Sequence, residues 1–236
     1  MTLLVPSRYR GPDESGNGGF TAGLVAERVG AGVGGPGALV TLRSPPPLDT
    51  PLAVHADGEG AVRVWHGPTL ITEGMRSAIE VEAVPAVSYE QAREVERSYP
   101  GFGSHPFPRC FTCGPERTPG DGLRIFAGRT GPGSTAAGWT PDASVADSTG
   151  EVAAAVVWAA LDCPGGWPAE LAGRPLVLGR MGARLVALPQ VGEQCVVVGR
   201  RLGVEGRKTF TATTAYGADG RELGRASATW IAQRAD

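Results

Sequence analysis

Between Gly150 and Trp167 the chain reads GEVAAAVVWAALDCPGGW, and its apolar residues surround a helix almost completely. The twelve residues from Glu151 to Asp162 include no Gly or Pro. The pattern predicts a buried helix that stops before Cys163-Pro164. A second helix is predicted over Asn17 to Val29, opening from the Gly-rich run GPDESGNGG. Elsewhere the pattern is that of extended chain. Ala38 to Arg43 predicts a strand before the turn SPPPLDTP, and Leu52 to His55 with Ala61 to Trp65 predicts a hairpin around ADGEG. Thr69 to Met75 and Ala78 to Val81 continue in extended form. Strands are also predicted at Leu123 to Ala127 and Ser134 to Trp139, before the apolar helix. After it come Leu176 to Leu188, Gln194 to Leu202, Lys208 to Tyr216 and Arg221 to Ala232, with ADGR as the last hairpin turn.

A short helix is predicted from Ser88 to Ser98, where Ser88 and Gln91 have the spacing of a capping box. Tyr99 to Gly120 is dense in Pro, Gly and Cys and reads as an ordered linker. Mostly antiparallel strands with a buried helix define an α+β class. The two halves also show a faint repeat. Pro47 to Val54 bridges two strands in the first, and Pro189 to Val196 does so in the second, with Pro and Val equally spaced and a helix before each.

Composition narrows the picture. The chain has 236 residues and a net charge of −2, enough to bury a core in one large or two small domains. No basic block points to nucleic acid. No apolar run approaches membrane-spanning length, and MTLLVPSRYR lacks a signal-peptide pattern, so a cytoplasmic protein without membrane partners is expected. Among 22 basic residues only Lys208 is lysine, which with 36 Gly and 20 Pro fits a GC-rich coding genome. Cys110 and Cys113 form a single C-x-x-C, while Cys163 and Cys195 stand apart. A structural zinc site usually draws on two such pairs, so reduced thiols and no metal are expected.

Asp162 is the only interior acid of the apolar helix. Asp is a poor helix former, and a helix C-terminus is itself partly negative. A residue that breaks local rules without local reward is a candidate for chemistry. Its ordinary alternative is an Asp bonding into the CPGGW turn.

A sheet wrapped around one long helix, twice in tandem, resembles the double hot-dog arrangement of acyl-CoA thioesterases. CFTCGPERTPGDGLRIF (Cys110 to Phe126) resembles the segment that precedes the helix in phenylacetyl-CoA-type thioesterases. SGNGGFTAGLVAERV (Ser15 to Val29) resembles the helix start of thioesterase II-like proteins. The resemblance implies two hot-dog units, residues 1–84 and 121–236, joined by the short helix and linker of 85–120. It also implies a pseudo-dimer of two antiparallel sheets, each around a central helix.

In such enzymes a site lies between units: one helix N-terminus polarises the thioester carbonyl, and the partner helix supplies an acid as nucleophile or base. The acid follows the second glycine of the helix start by seven residues. In the first half Asn17-Gly18-Gly19 fits the start, but the acid position falls on Ala26, with Glu27 one residue late. In the second half Asp162 fits the acid, but the start falls on Ala153-Ala154-Ala155. The resemblance therefore implies one complete site, Asn17, Gly18 and Gly19 facing Asp162, and a dead reciprocal one.

Gly18 and Gly19 would leave room for a substrate carbonyl, and Asn17 would orient water or donate to the thioester oxygen; N-cap and turn roles are the ordinary alternative. Phe20 and Trp158 are the expected substrate-binding residues. No cofactor is implied, coenzyme A entering only as part of an acyl-CoA or acyl-carrier substrate, and a homodimer of double hot-dogs is a compatible assembly. Glu27 reads as a solvated charge, and His55, His66 and His105 as turn or surface residues. Arg180 and Arg184 are candidates for the coenzyme A phosphates, though no spacing selects them. A non-catalytic acyl-thioester or lipid-binding protein is the competing reading. A dehydratase would need a His at a helix start, and none is there.

Overall fold

The computed structural model describes residues 1–58, 60–147, 150–169 and 175–233. Its strands are β1 (Thr2–Leu3), β2 (Gly37–Leu42), β3 (Leu52–Ala56), β4 (Val62–His66), β5 (Thr69–Ser77), β6 (Gly128–Gly131), β7 (Ser134–Trp139), β8 (Leu176–Leu185), β9 (Cys195–Glu205), β10 (Lys208–Tyr216) and β11 (Glu222–Ala232). The α-helices are α1 (Gly18–Arg28), α2 (Tyr89–Val95) and α3 (Ala154–Gly166). No helix among the described residues is long and apolar enough to cross a membrane.

The described strands join one antiparallel sheet, where two were expected, because β2 pairs with β8; the order is β1-β3-β4-β5-β2-β8-β11-β10-β9-β7-β6. The order contains a repetition. A strand, a helix and four strands (β1, α1, β2 to β5) line up as β1-β3-β4-β5-β2, and β7, α3, β8 to β11 line up as β7-β9-β10-β11-β8. The two sets meet where β2 runs antiparallel to β8, with Ala38 opposite Ala183 and Thr41 opposite Arg180. The faint repeat in the sequence falls on equivalent connections, β2 to β3 and β8 to β9.

One face of the sheet holds α1 and α3, packed against each other. Glycines permit the close approach: a Cβ on Gly19 would lie 2.5 Å from the Asp162 Cβ, and one on Gly23 2.6 Å from the Ala155 Cα. Val156, Val157 and Leu161 of α3 are at most 1% exposed. Burying each contributes roughly 1.5–3 kcal/mol.

The helix differs from its sequence expectation at both ends. Glu151 and Val152 form isolated bridges with Gln190 and Ala146, so α3 begins at Ala154. It then runs through Pro164 to Gly166, which places Asp162 inside the helix rather than at its end. Hydroxyls support this proline-containing end: Thr112, Thr213 and Thr135 donate to the carbonyls of Ala159, Leu161 and Pro164 at 3.1, 2.7 and 2.9 Å.

Leu123 to Ala127 is not a strand of the sheet. It is buried, and the amides of Leu123 and Ile125 donate to the carbonyls of Phe111 and Thr112. The Pro/Gly/Cys-rich stretch that reads as a linker is thereby drawn into the core, with Tyr99, Cys110, Phe111 and Cys113 all buried.

On the outer face, α2 and residues from Val81 to Val87 cover Ala136, Val196, Val198 and Ala212. The capping box forms as predicted: Ser88 Oγ accepts from the Gln91 amide at 3.2 Å, and Gln91 Oε1 accepts from the Ser88 amide at 3.0 Å. Ser88→Ala is expected to destabilise the protein by about 1 kcal/mol, read from denaturant unfolding. No change would show that this cap contributes nothing.

Candidate functional site

Asn17 caps α1, its Oδ1 accepting from the Phe20 amide at 2.8 Å. The Gly19 amide is thus left to another acceptor, and Asp162 Oδ2 takes it at 2.9 Å. The bond crosses from one half of the sequence to the other. Asp162 is 2% exposed, and its Oδ1 has no hydrogen-bond partner among the described residues. Burial pushes its carboxyl up to about 7; the Gly19 amide and the Asn17 side chain oppose that rise, and nearby Cys110 adds to it. Gly18 is the first helical residue, where an amide has no intrahelical acceptor.

Three sulfurs lie beside these groups. Those of Cys110, Cys113 and Cys163 are all within 4.8 Å of one another, with Cys110 to Cys163 at 3.7 Å. Asn17 Nδ2 points at two of them, 3.7 Å from Cys110 Sγ and 4.0 Å from Cys163 Sγ. His105 Nε2 lies 3.3 Å from Cys113 Sγ. Hydrogen bonds from Cys113 and Cys163 hold the Cys110 thiol well below its ordinary value, while burial pushes Cys113 up.

The loop bearing Cys110 and Cys113 is tied on several sides. The Phe111 amide donates to the Arg10 carbonyl, and the Tyr99 hydroxyl to the Cys113 carbonyl at 2.9 Å. The buried Arg117 guanidinium donates to the carbonyls of Arg109 and Arg8, each at 2.8 Å.

A cavity of about 470 Å³, within the usual size range of small-molecule sites, adjoins these groups. Asn17, Gly18, His105, Asp162 and the three cysteines line one part of it, and Leu42, Phe107, Leu176, Leu178 and Trp230 are among its apolar walls. Arg43 also lines it, held by Glu73 at 2.9 Å from its Nε.

The structure brings Asn17, Gly18, Gly19 and Asp162 together. Aligning the two helix caps, Asn17 with Ala153, sets Ala26 opposite Asp162; Ala153 has no capping side chain and Ala26 is a buried apolar residue. The space at Gly19 is not free for a carbonyl. A Cβ on Gly19 would meet α3, and one on Gly18 would meet the Leu178 side chain at 2.8 Å.

Phe20 and Trp158 do not line the cavity. Phe20 stacks on Tyr9 with ring centroids 3.8 Å apart, beside Phe111, because its position on α1 faces the N-terminal segment. Trp158 is buried against Gly23 where the helices cross. Arg180 is also outside the cavity wall, bonded to Thr41.

His105, Cys110, Cys113 and Cys163 are not isolated residues, as their sequence positions suggested, but neighbours on the cavity wall. The lone C-x-x-C was their one sequence signal. Its partner Cys163 follows Asp162 directly, yet nothing in the spacing joins them. Leu176, Leu178 and Trp230 carried no signal beyond ordinary strand residues.

No family model matches the sequence, and no curated protein matches it. Solved structures do match over nearly the whole chain. A candidate thioesterase II from Thermobifida fusca is 12% identical with a TM-score of 0.64, over 99% of this chain and 92% of that one. A conserved hot-dog protein from Alicyclobacillus acidocaldarius is 14% identical with a TM-score of 0.61, over 100% and 93%. A tesB protein from Mycobacterium avium subs paratuberculosis is 12% identical with a TM-score of 0.61, over 99% and 91%. At such identities the likeness is one of fold, and the chain has a hot-dog fold.

Proposed function

We propose that the chain is a double hot-dog protein that hydrolyses an acyl-CoA or acyl-carrier thioester at one site between its two halves. The repeated strand order and the pairing of β2 with β8 support the double arrangement. One observation carries the activity: Asp162, on the wall of a largely apolar cavity, spends one oxygen on the Gly19 amide and keeps the other buried with no partner among the described residues. A buried carboxylate oxygen without a donor is costly unless function uses it.

In this reading the acyl chain lies along the apolar wall, and the thioester oxygen meets the Gly18 amide at the positive end of α1. Asp162 Oδ1 accepts a proton from water as the water oxygen bonds to the thioester carbon. Collapse of the tetrahedral adduct breaks the carbon–sulfur bond, and the leaving thiolate takes the proton from Asp162. The Gly19 amide acts by fixing the carboxylate, not by holding substrate, since Asp162 already occupies it.

That same occupancy favours the competing reading, a binder of acyl thioesters without catalysis. Acyl-CoAs of graded chain length, assayed with a thiol-trapping dye, separate the two: thiol release is expected from at least one. Binding by calorimetry with no release from any would establish the binder instead. Glu27 is exposed on α1, and Glu27→Gln is expected to keep the wild-type rate. A large loss there would move the acid to the wrong half.

A further inference from the structure

We propose that Cys110, Cys113 and Cys163 bind one thiophilic divalent cation of the zinc class on the cavity wall, its fourth coordination position open to the cavity. The three sulfurs lie within 4.8 Å of one another, and Cys110 and Cys163 are 3.7 Å apart. Thiolates about 2.3 Å from a tetrahedral zinc stand roughly 3.8 Å apart. A disulfide needs about 2.05 Å, so this spacing suits a shared ion rather than a bond. C-x-x-C supplies two ligands in many zinc sites. An all-sulfur donor set selects zinc-like ions over magnesium or calcium.

The ligands are held in place by bonds that need no metal. The Gly114 amide donates to the Cys110 carbonyl at 2.9 Å, closing the turn between the two loop cysteines. Cys163 sits on α3, and Thr112, between the loop cysteines, donates to Ala159 of that helix.

Two groups that face the sulfurs are donors, as suits metal-bound thiolates. Asn17 Nδ2 faces Cys110 and Cys163. His105 Nδ1 accepts from the Phe107 amide at 2.9 Å, so the neutral ring carries its proton on Nε2, facing Cys113 Sγ. His105 therefore serves as a donor to a bound sulfur and not as the fourth ligand. All three cysteines line the cavity, so that position faces water or a bound molecule. The expectation of no metal rested on the missing second C-x-x-C; folding supplies Cys163 in its place.

The proposal stands apart from thioester hydrolysis, and its test needs no activity. Full-length protein, purified with reductant and without chelator, is expected to hold about one zinc per chain by elemental analysis. Folded Cys110→Ser and Cys163→Ser, checked by circular dichroism, are expected to lose it. Cys195→Ser, at the start of β9 and outside the cavity wall, is expected to retain it. Should the first two variants not fold, wild type stripped with chelator and titrated with Co2+ decides. A thiolate-to-cobalt charge-transfer band saturating at about one equivalent supports the site. Metal-free wild type with no cobalt band overturns it, as does full zinc in a folded Cys163→Ser. A Cys110–Cys163 disulfide in freshly prepared protein, seen by non-reducing mass spectrometry, overturns it too.

Discussion

Asp162→Asn is expected to lower kcat for thioester hydrolysis by about 10²–10⁴-fold, the usual contribution of a positioned base. Asn has the same shape, and its oxygen can still accept the Gly19 amide that Asp162 Oδ2 accepts. What disappears is the basic oxygen left without a partner. KM should change little, because the apolar wall that holds the acyl chain is untouched. The melting temperature should hold or rise, since a buried charge with an unpartnered oxygen is replaced by a neutral group. Wild-type and variant rates that match across the substrate panel would remove Asp162 from the mechanism. Equal loss of rate and stability would reassign it to packing.

Gly19→Ala is expected to destabilise the fold by about 1–3 kcal/mol, the usual cost of overpacking a core. The new methyl would sit 2.5 Å from the Asp162 Cβ and 2.7 Å from the Trp158 carbonyl. Backbone cannot step aside as a flexible side chain can, so α1 and α3 must separate. Each kcal/mol lowers the melting temperature by about 2–4 °C at this chain length. Separation also stretches the Gly19–Asp162 bond, so activity should fall with stability. An unchanged melting temperature would mean that the helices do not approach as closely as described.

Much of the fold was legible because local patterns agree with the final packing. The apolar run of α3, the capping box at Ser88 and the strands after Leu176 all carry their partners' imprint in short windows. The pairing of Asn17-Gly18-Gly19 with Asp162 was legible only by setting one half against the other. What the sequence concealed depended on long-range donors and on chain reversal.

Pro164 reads as a stop, yet the helix continues with Thr135 and Thr213 of the sheet supporting its last carbonyls. The stretch from Tyr99 to Gly120 reads as a linker because Pro and Gly crowd it. Its Phe111 and Cys113 are buried because Arg117 and Tyr99 tie its backbone inward. Phe20 and Trp158 are large and near the predicted site, but which way a helix turns its side chains depends on neighbours far away in sequence.

The joining of β2 to β8 within one chain has a consequence for how such a site can change. When two identical subunits assemble around a two-fold axis, every substitution appears on both sides of it. Here the related positions are separate codons. Asn17 can face Cys110 while its counterpart is Ala153, and Asp162 can be kept while its counterpart is Ala26. In the proposed mechanism one half is then free to specialise as the cradle and the other as the source of the acid, a division of labour closed to a symmetric pair.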